Sequence, residues 1–98
     1  MYILLTYDIS TETVSGQKRL AKVAKTCEKY GVRVQNSVFE MNTDSSHLLL
    51  LKDSLSSIID AETDSIRIYK LGKTYTADLT ILGKRQVVEP AQDNILDL

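Results

Sequence analysis

Apolar residues open the chain as a run, Ile3, Leu4 and Leu5 inside YILLTYD, and then spread into three- and four-residue steps at Leu20, Val23, Ala24 and Cys27. The run predicts a strand over Tyr2 to Asp8. Because it does not alternate, it suits a central strand covered on both faces. The wider steps predict a helix opening at Ser15-Gly16, with Gly31 placed to end it in a left-handed cap. Val32-Arg33-Val34 and Val38-Phe39-Glu40-Met41 read as two short strands, and Asn36-Ser37 between them as the turn of a hairpin. Thr43-Asp44-Ser45 offers caps for a second helix whose buried face is Leu48, Leu51, Leu55, Ile58 and Ile59. Leu49 and Leu50 widen that stripe and are expected to join the core face, with a subunit contact as the alternative. Ile66-Arg67-Ile68-Tyr69 is the fourth strand, released by Leu71-Gly72-Lys73, and Ala77 to Leu82 reads as one more, ended by Gly83.

The order is β-α-β-β-α-β plus one strand, an α+β pattern of the ferredoxin-like kind, in which an antiparallel sheet carries both helices on one face. The other face needs cover, and a second copy of the chain is the natural source, so a homodimer is expected. Residues 1–72 form the ferredoxin-like domain, and 73–98 supply a strand and an acidic tail for dimer and partner contacts. The surplus strand is expected to cross to the other subunit and pair with its sheet edge.

With 98 residues, 43% hydrophobic and 26% charged, the chain fits one soluble globular domain and neither a disordered nor a fibrous class. A lone Cys27 excludes an internal disulfide and fits a reducing compartment. No run approaches the length needed to span a bilayer, and a cytoplasmic protein without membrane contact is expected. A net charge of −1 does not announce a nucleic-acid binder, but its distribution changes the picture. Six Lys or Arg against one Glu lie between Gln17 and Arg33, whereas the tail carries Glu89, Asp93 and Asp97 with no base after Val88. Lys18, Lys22, Lys25 and Lys29 share one line of the first helix, which makes them either a phosphate-following stripe or a solvated face with Glu28 at hand.

Asp8 ends the first strand. A carboxylate there has a backbone fixed by the sheet and a side chain free to reach a ligand, which suits a metal ligand or a general base; an Asx turn or a cap is the simpler alternative. His47 falls in a first helical turn and reads as a surface cap residue. No Gly-rich phosphate loop, CxxC pair or nucleophile triad is visible.

Four stretches in register carry a resemblance: YDIST at Tyr7 to Thr11, KRLAKVAKTCEKYG at Lys18 to Gly31, RVQNSVFE at Arg33 to Glu40, and DSIRIYKLG at Asp64 to Gly72. With these the chain resembles the small CRISPR-associated endonuclease family Cas2, in its compact bacterial form. The resemblance implies a homodimer holding a divalent metal, usually Mg²⁺ with Mn²⁺ as the alternative, through Asp8 of each chain. It implies metal-dependent phosphodiester hydrolysis of RNA or double-stranded DNA, and work with the CRISPR integrase dimers in spacer acquisition; with no general base or second metal cage visible in the chain, the hydrolysis is expected to be weak. A non-catalytic adaptor of that integration complex is the alternative. Arg33 and Phe39 carry over as activity-linked residues, with Arg19 or Lys22 from the first helix; beside the resemblance, the position of Lys18, Arg19, Lys22 and Lys25 on that basic helix makes them the expected nucleic-acid contacts. An octahedral cation that keeps several waters needs only one or two carboxylates plus substrate oxygens, so paired Asp8 side chains suffice.

Overall fold

A computed structural model describes residues 1–83. Seven elements follow one another: β1 (Tyr2–Asp8), α1 (Val14–Glu28), β2 (Val32–Gln35), β3 (Val38–Asn42), α2 (Ser45–Ile58), β4 (Ser65–Lys70) and a single turn, α3 (Tyr75–Asp78). The strands make one sheet in the order β2-β3-β1-β4, and every neighbouring pair is antiparallel. This is the expected α+β architecture, with the first strand central. Its core is built on one face of the sheet. Ile3, Leu5, Tyr7, Phe39 and Met41 point from the sheet toward Val23 and Cys27 of α1 and Leu48, Leu51 and Leu55 of α2.

Local chemistry explains where the elements start. Thr13 caps α1, its hydroxyl accepting from the Gly16 amide at 3.0 Å. Asp44 caps α2 by accepting from the His47 amide at 2.9 Å, and the same carboxylate holds His47 Nδ1 at 2.7 Å. His47 is therefore part of a cap, as its position suggested.

The structure corrects four expectations. Burial along β1 alternates, so Tyr2, Leu4, Thr6 and Asp8 lie on a face left largely open while Ile3, Leu5 and Tyr7 go to the core. Leu4 extended the apolar run without belonging to the helix-covered side, since both helices pack on one face. Gly31 is not left-handed, because Gly83 alone among the described residues has a positive φ. Gly31 is required for closeness instead: a Cβ there would run into the Met41 side chain and stand 2.5 Å from the Glu40 carbonyl oxygen. Leu49 and Leu50 are 59% and 54% exposed and leave the core to Leu48, Leu51 and Leu55.

The fourth correction concerns Ala77 to Leu82, which forms no strand. Tyr75–Asp78 winds into one helical turn, with Thr74 Oγ1 donating to Asp78 Oδ2 at 2.7 Å, and Leu79 to Gly83 is irregular. A strand exists by pairing, and in the single chain this segment meets no sheet edge. Tyr75 lies instead over Tyr2, with ring centroids 5.3 Å apart, covering one end of the open face. Burial and the neighbouring Glu40 push its phenol pKa up, although no hydrogen bond of good geometry reaches the hydroxyl among the described residues. The acidic tail, with Glu89, Asp93 and Asp97, lies outside the described residues.

Candidate active site

Asp8 is the last residue of β1 and is exposed. Its register partner is Ser65, the first residue of the edge strand β4, so the carboxylate stands at one end of the β1–β4 pair on the open face. The main chain beneath it is held from several sides. The Tyr7 amide donates to the Ser37 carbonyl at 3.1 Å, Tyr7 Oη donates to the Asn36 carbonyl at 3.0 Å, and Ile9 is buried just beyond. Asp8 thus combines a free side chain with a fixed backbone, which is what a ligating or proton-accepting group requires.

Arg33 and Phe39 lie elsewhere. They are register partners on β2 and β3, and Phe39 faces the helices with no exposure at all. Arg33 lays its guanidinium over the Phe39 ring at 5.3 Å from the centroid and reaches Glu28 of α1 at 3.4 Å. Tyr7 also stacks against Phe39, centroids 6.2 Å apart. Burial raises the Tyr7 phenol pKa, with Arg33 opposing the shift. Phe39 therefore cannot touch a substrate; it can only orient Arg33 and Tyr7. By strand parity Arg33 is on the helix-bearing side and Asp8 on the open side, so one chain does not bring the two together.

The lysines of α1 are exposed along its outer face, and none of Lys18, Lys22, Lys25 or Lys29 forms an ion pair among the described residues. Glu28, which stood ready to neutralise them, goes to Arg33. Arg19 differs. Its Nε binds Asp64 Oδ2 at 2.8 Å, its side chain is only 18% exposed, and Asp64's is wholly buried. The guanidinium beside it holds the Asp64 carboxyl well below the usual carboxylate range, helped by the amides of Asp60 and Ser10. Of the basic residues proposed for nucleic acid, Arg19 is the one already engaged within the fold.

The family described as CRISPR associated protein Cas2 matches residues 1–78. The chain belongs to that family. It is 49% identical over 89 residues to the CRISPR-associated endonuclease Cas2 of Halalkalibacterium halodurans, covering 91% of this chain and 93% of the relative. It is 54% identical over 71 residues to CRISPR-associated endoribonuclease Cas2 1 of Moorella thermoacetica, covering 72% and 74%. The crystal structure of Streptococcus pyogenes Cas2 at pH 6.5 superposes with a TM-score of 0.76 at 51% identity, over 85% of this chain and all of the other.

Among the described residues of this Cas2 family member, no group of three or more His, Cys, Asp or Glu side chains could hold a metal ion. A single open carboxylate per chain fits only a hard, largely hydrated cation shared with a second chain or with substrate oxygens. Cys27 is unsuited to chemistry, since burial pushes its thiol pKa up to about 12. One basic residue was passed over in the sequence. Arg67 is the register partner of Thr6, and two-residue parity puts it on the same open face as Asp8, one step along β4 from Ser65. Its Nη1 points along the strand to Tyr69 Oη at 3.4 Å. The signal was the alternation in SIRIYK, which sends Ile66 and Ile68 inward and leaves Arg67 outward. No helix is long and apolar enough to cross a membrane among the residues described.

Proposed function

We propose that this chain is a metal-dependent endonuclease of CRISPR defence, cleaving phosphodiester bonds in RNA or double-stranded DNA as a homodimer and acting with the integrase during spacer acquisition. The observation that carries this reading is the exposed Asp8 on a rigid strand end, in a chain closely similar to proteins named endonuclease and endoribonuclease. Asp8, from two chains, would hold Mg²⁺ or Mn²⁺. When bound, such an ion polarises a phosphate oxygen and eases ionisation of its water. The chain's own residues do the rest: the open sheet face admits a second copy, and the α1 lysines follow the phosphate backbone without reading bases.

A second reading, the non-catalytic adaptor that bridges integrase dimers along DNA, is favoured by the sparse chemistry around Asp8. The described residues offer no group of three or more His, Cys, Asp or Glu side chains that could hold a metal ion. One assay separates the two. Purified protein and Asp8→Ala are compared on labelled RNA and duplex DNA, with Mg²⁺, with Mn²⁺ and with chelator. Hydrolysis that needs metal and disappears in Asp8→Ala, with the dimer and the denaturation midpoint unchanged, supports the enzyme. Equal hydrolysis by both proteins refutes it, and integrase binding unaffected by Asp8→Ala with no hydrolysis by either leaves the adaptor.

A further inference from the structure

Two residues past Asp8 the chain enters a closely clamped position. The Ser10 amide donates to Asp64 Oδ1 at 3.0 Å. On its other side the Ser10 carbonyl lies against Gly16, so close that any Cβ at Gly16 would overlap it. Between Asp8 and Ser10, Ile9 is anchored in the core at 7% exposure. The carboxylate that receives the Ser10 amide is itself assembled from three segments. It takes Arg19 Nε from α1 at 2.8 Å, the Asp60 amide at 2.9 Å and Thr63 Oγ1 at 3.1 Å. Asp64 directly precedes Ser65, the register partner of Asp8, so both strands that meet at Asp8 end on this one buried carboxylate.

A buried ion pair contributes little net stability against an apolar replacement of the same volume, because desolvation offsets most of its Coulomb attraction. Its geometric precision is another matter. A charged carboxylate with four donors from three segments, the Ser10 link, α1 and the turn from Asp60 to Thr63, tolerates little movement of any of them, and the Ser10 link is the one that carries Asp8. Arg19, for its part, is fixed by Ser15 Oγ at 3.2 Å as well as by Asp64, which ties the first turns of α1 to the same point.

We infer that Asp64 and Arg19 are positioning residues for Asp8: the pair sets the exit of β1 so that the Asp8 carboxylate is presented in one place for a divalent cation. This rests on Asp8 being the metal-binding carboxylate. Groups that orient a ligand without touching the metal commonly affect affinity or turnover by about 10- to 100-fold. Arg19 accordingly supports activity from behind the site and leaves phosphate contact to the lysines.

The test uses the full chain and Mn²⁺ as the probe cation, with wild type, Asp8→Ala, Asp64→Asn, Arg19→Gln and Arg19→Lys. Calorimetry gives Mn²⁺ affinity, amide hydrogen exchange reports on Asp8 and Ser10, and steady-state cleavage separates kcat from KM. Asp64→Asn removes the charge and turns an NH2 donor either toward Arg19 Nε and the Asp60 amide or toward the Ser10 amide. It is expected to speed exchange at Ser10, weaken Mn²⁺ binding about tenfold or more, and lower kcat while KM for nucleic acid stays within about twofold. Arg19→Gln should act in the same direction, and Arg19→Lys, which restores a charged donor, should recover part of the loss. If Asp64→Asn does not fold, the two Arg19 variants decide by the same readouts, since they leave the backbone donors of Asp64 in place. Folded variants that bind Mn²⁺ as wild type does, while Asp8→Ala has lost it, overturn the positioning role and leave the metal site standing. Unchanged Mn²⁺ binding by Asp8→Ala removes the metal reading and the positioning role together.

Discussion

Replacing Lys18, Lys22 and Lys25 together with Gln tests the basic face of α1 by a slope as well as by an affinity. All three are exposed and without an ion pair among the described residues, so their charge is free for phosphate. From Lys18 to Lys25 the helix rises about 10 Å at 1.5 Å per residue. One strand of B-DNA presents a phosphate about every 3.4 Å along its axis, so the three lysines face about three phosphates. Each contact releases counterions worth about 0.9 in the slope of log affinity against log salt, so the slope should flatten by about 2.7. Between 50 and 200 mM salt that difference amounts to a factor of about 40 in affinity. Gln has a helix propensity close to that of Lys, and the substitutions leave the buried stripe of Val23 and Cys27 alone. Fluorescence anisotropy with two unrelated labelled duplexes over a salt series measures the effect, which should be the same on both. A slope that changes by less than one contact's worth, about 0.9, refutes the reasoning and returns the stripe to solvated surface.

Three other outcomes are expected. Asp64, whose carboxyl is held well below its ordinary range by Arg19 and two amides, contributes stability that is present above the unfolded carboxylate pKa of about 4 and lost as pH falls toward the folded value. Urea midpoints from pH 7 to pH 3 should therefore drop below about pH 4 in wild type and drop less in Asp64→Asn. Phe39→Ala removes a fully buried ring that contacts both Arg33 and Tyr7, and should cost about 3–5 kcal/mol by chemical denaturation. Phe39→Leu should cost less and keep the fold, and a loss of cleavage in it should match that of Arg33→Ala. Truncation after Gly72 takes away Tyr75, which covers Tyr2 on the open face, and should weaken self-association in sedimentation at high dilution; an equally tight dimer would show that 73–98 does not contribute to it.

Element order was legible in the chain because strands and helices write their period locally. Ile66-Arg67-Ile68 alternates, Leu20-Val23-Ala24-Cys27 recurs at helical steps, and Asp44 announces a helix start by side-chain chemistry that needs no distant partner; α1 begins at Val14 behind its Thr13 cap, just ahead of the expected Ser15-Gly16. Asp8 was legible for the same reason, as a carboxylate where an apolar run stops. Where the reading failed, a non-local choice had intervened. Leu4 looked buried because runs count apolar residues without saying which face the helices will take. Leu49 and Leu50 looked like core for the same cause. Ala77 to Leu82 had the composition of a strand, but composition supplies no partner to pair with.

The face on which each site residue stands was decided only when the sheet was assembled. Pairing β1 with β3 and β4, in the register Leu5 to Phe39 and Leu5 to Ile68, sends Arg33 to the helix side and both Asp8 and Arg67 to the open side. Nothing within a window of a few residues carries that information, because a shift of one residue in register would exchange the faces at no local cost. Arg19 is the sharpest case. In the chain it is one more base in a basic helix; in the fold it is matched to Asp64, 45 positions away, at 2.8 Å. Periodicity determined the six elements from β1 to β4 and that Asp8 would end one of them. Contacts between distant segments, whose energies depend on geometry that no local pattern encodes, determined which charges of α1 stay exposed and that Arg19 is paired with a buried carboxylate.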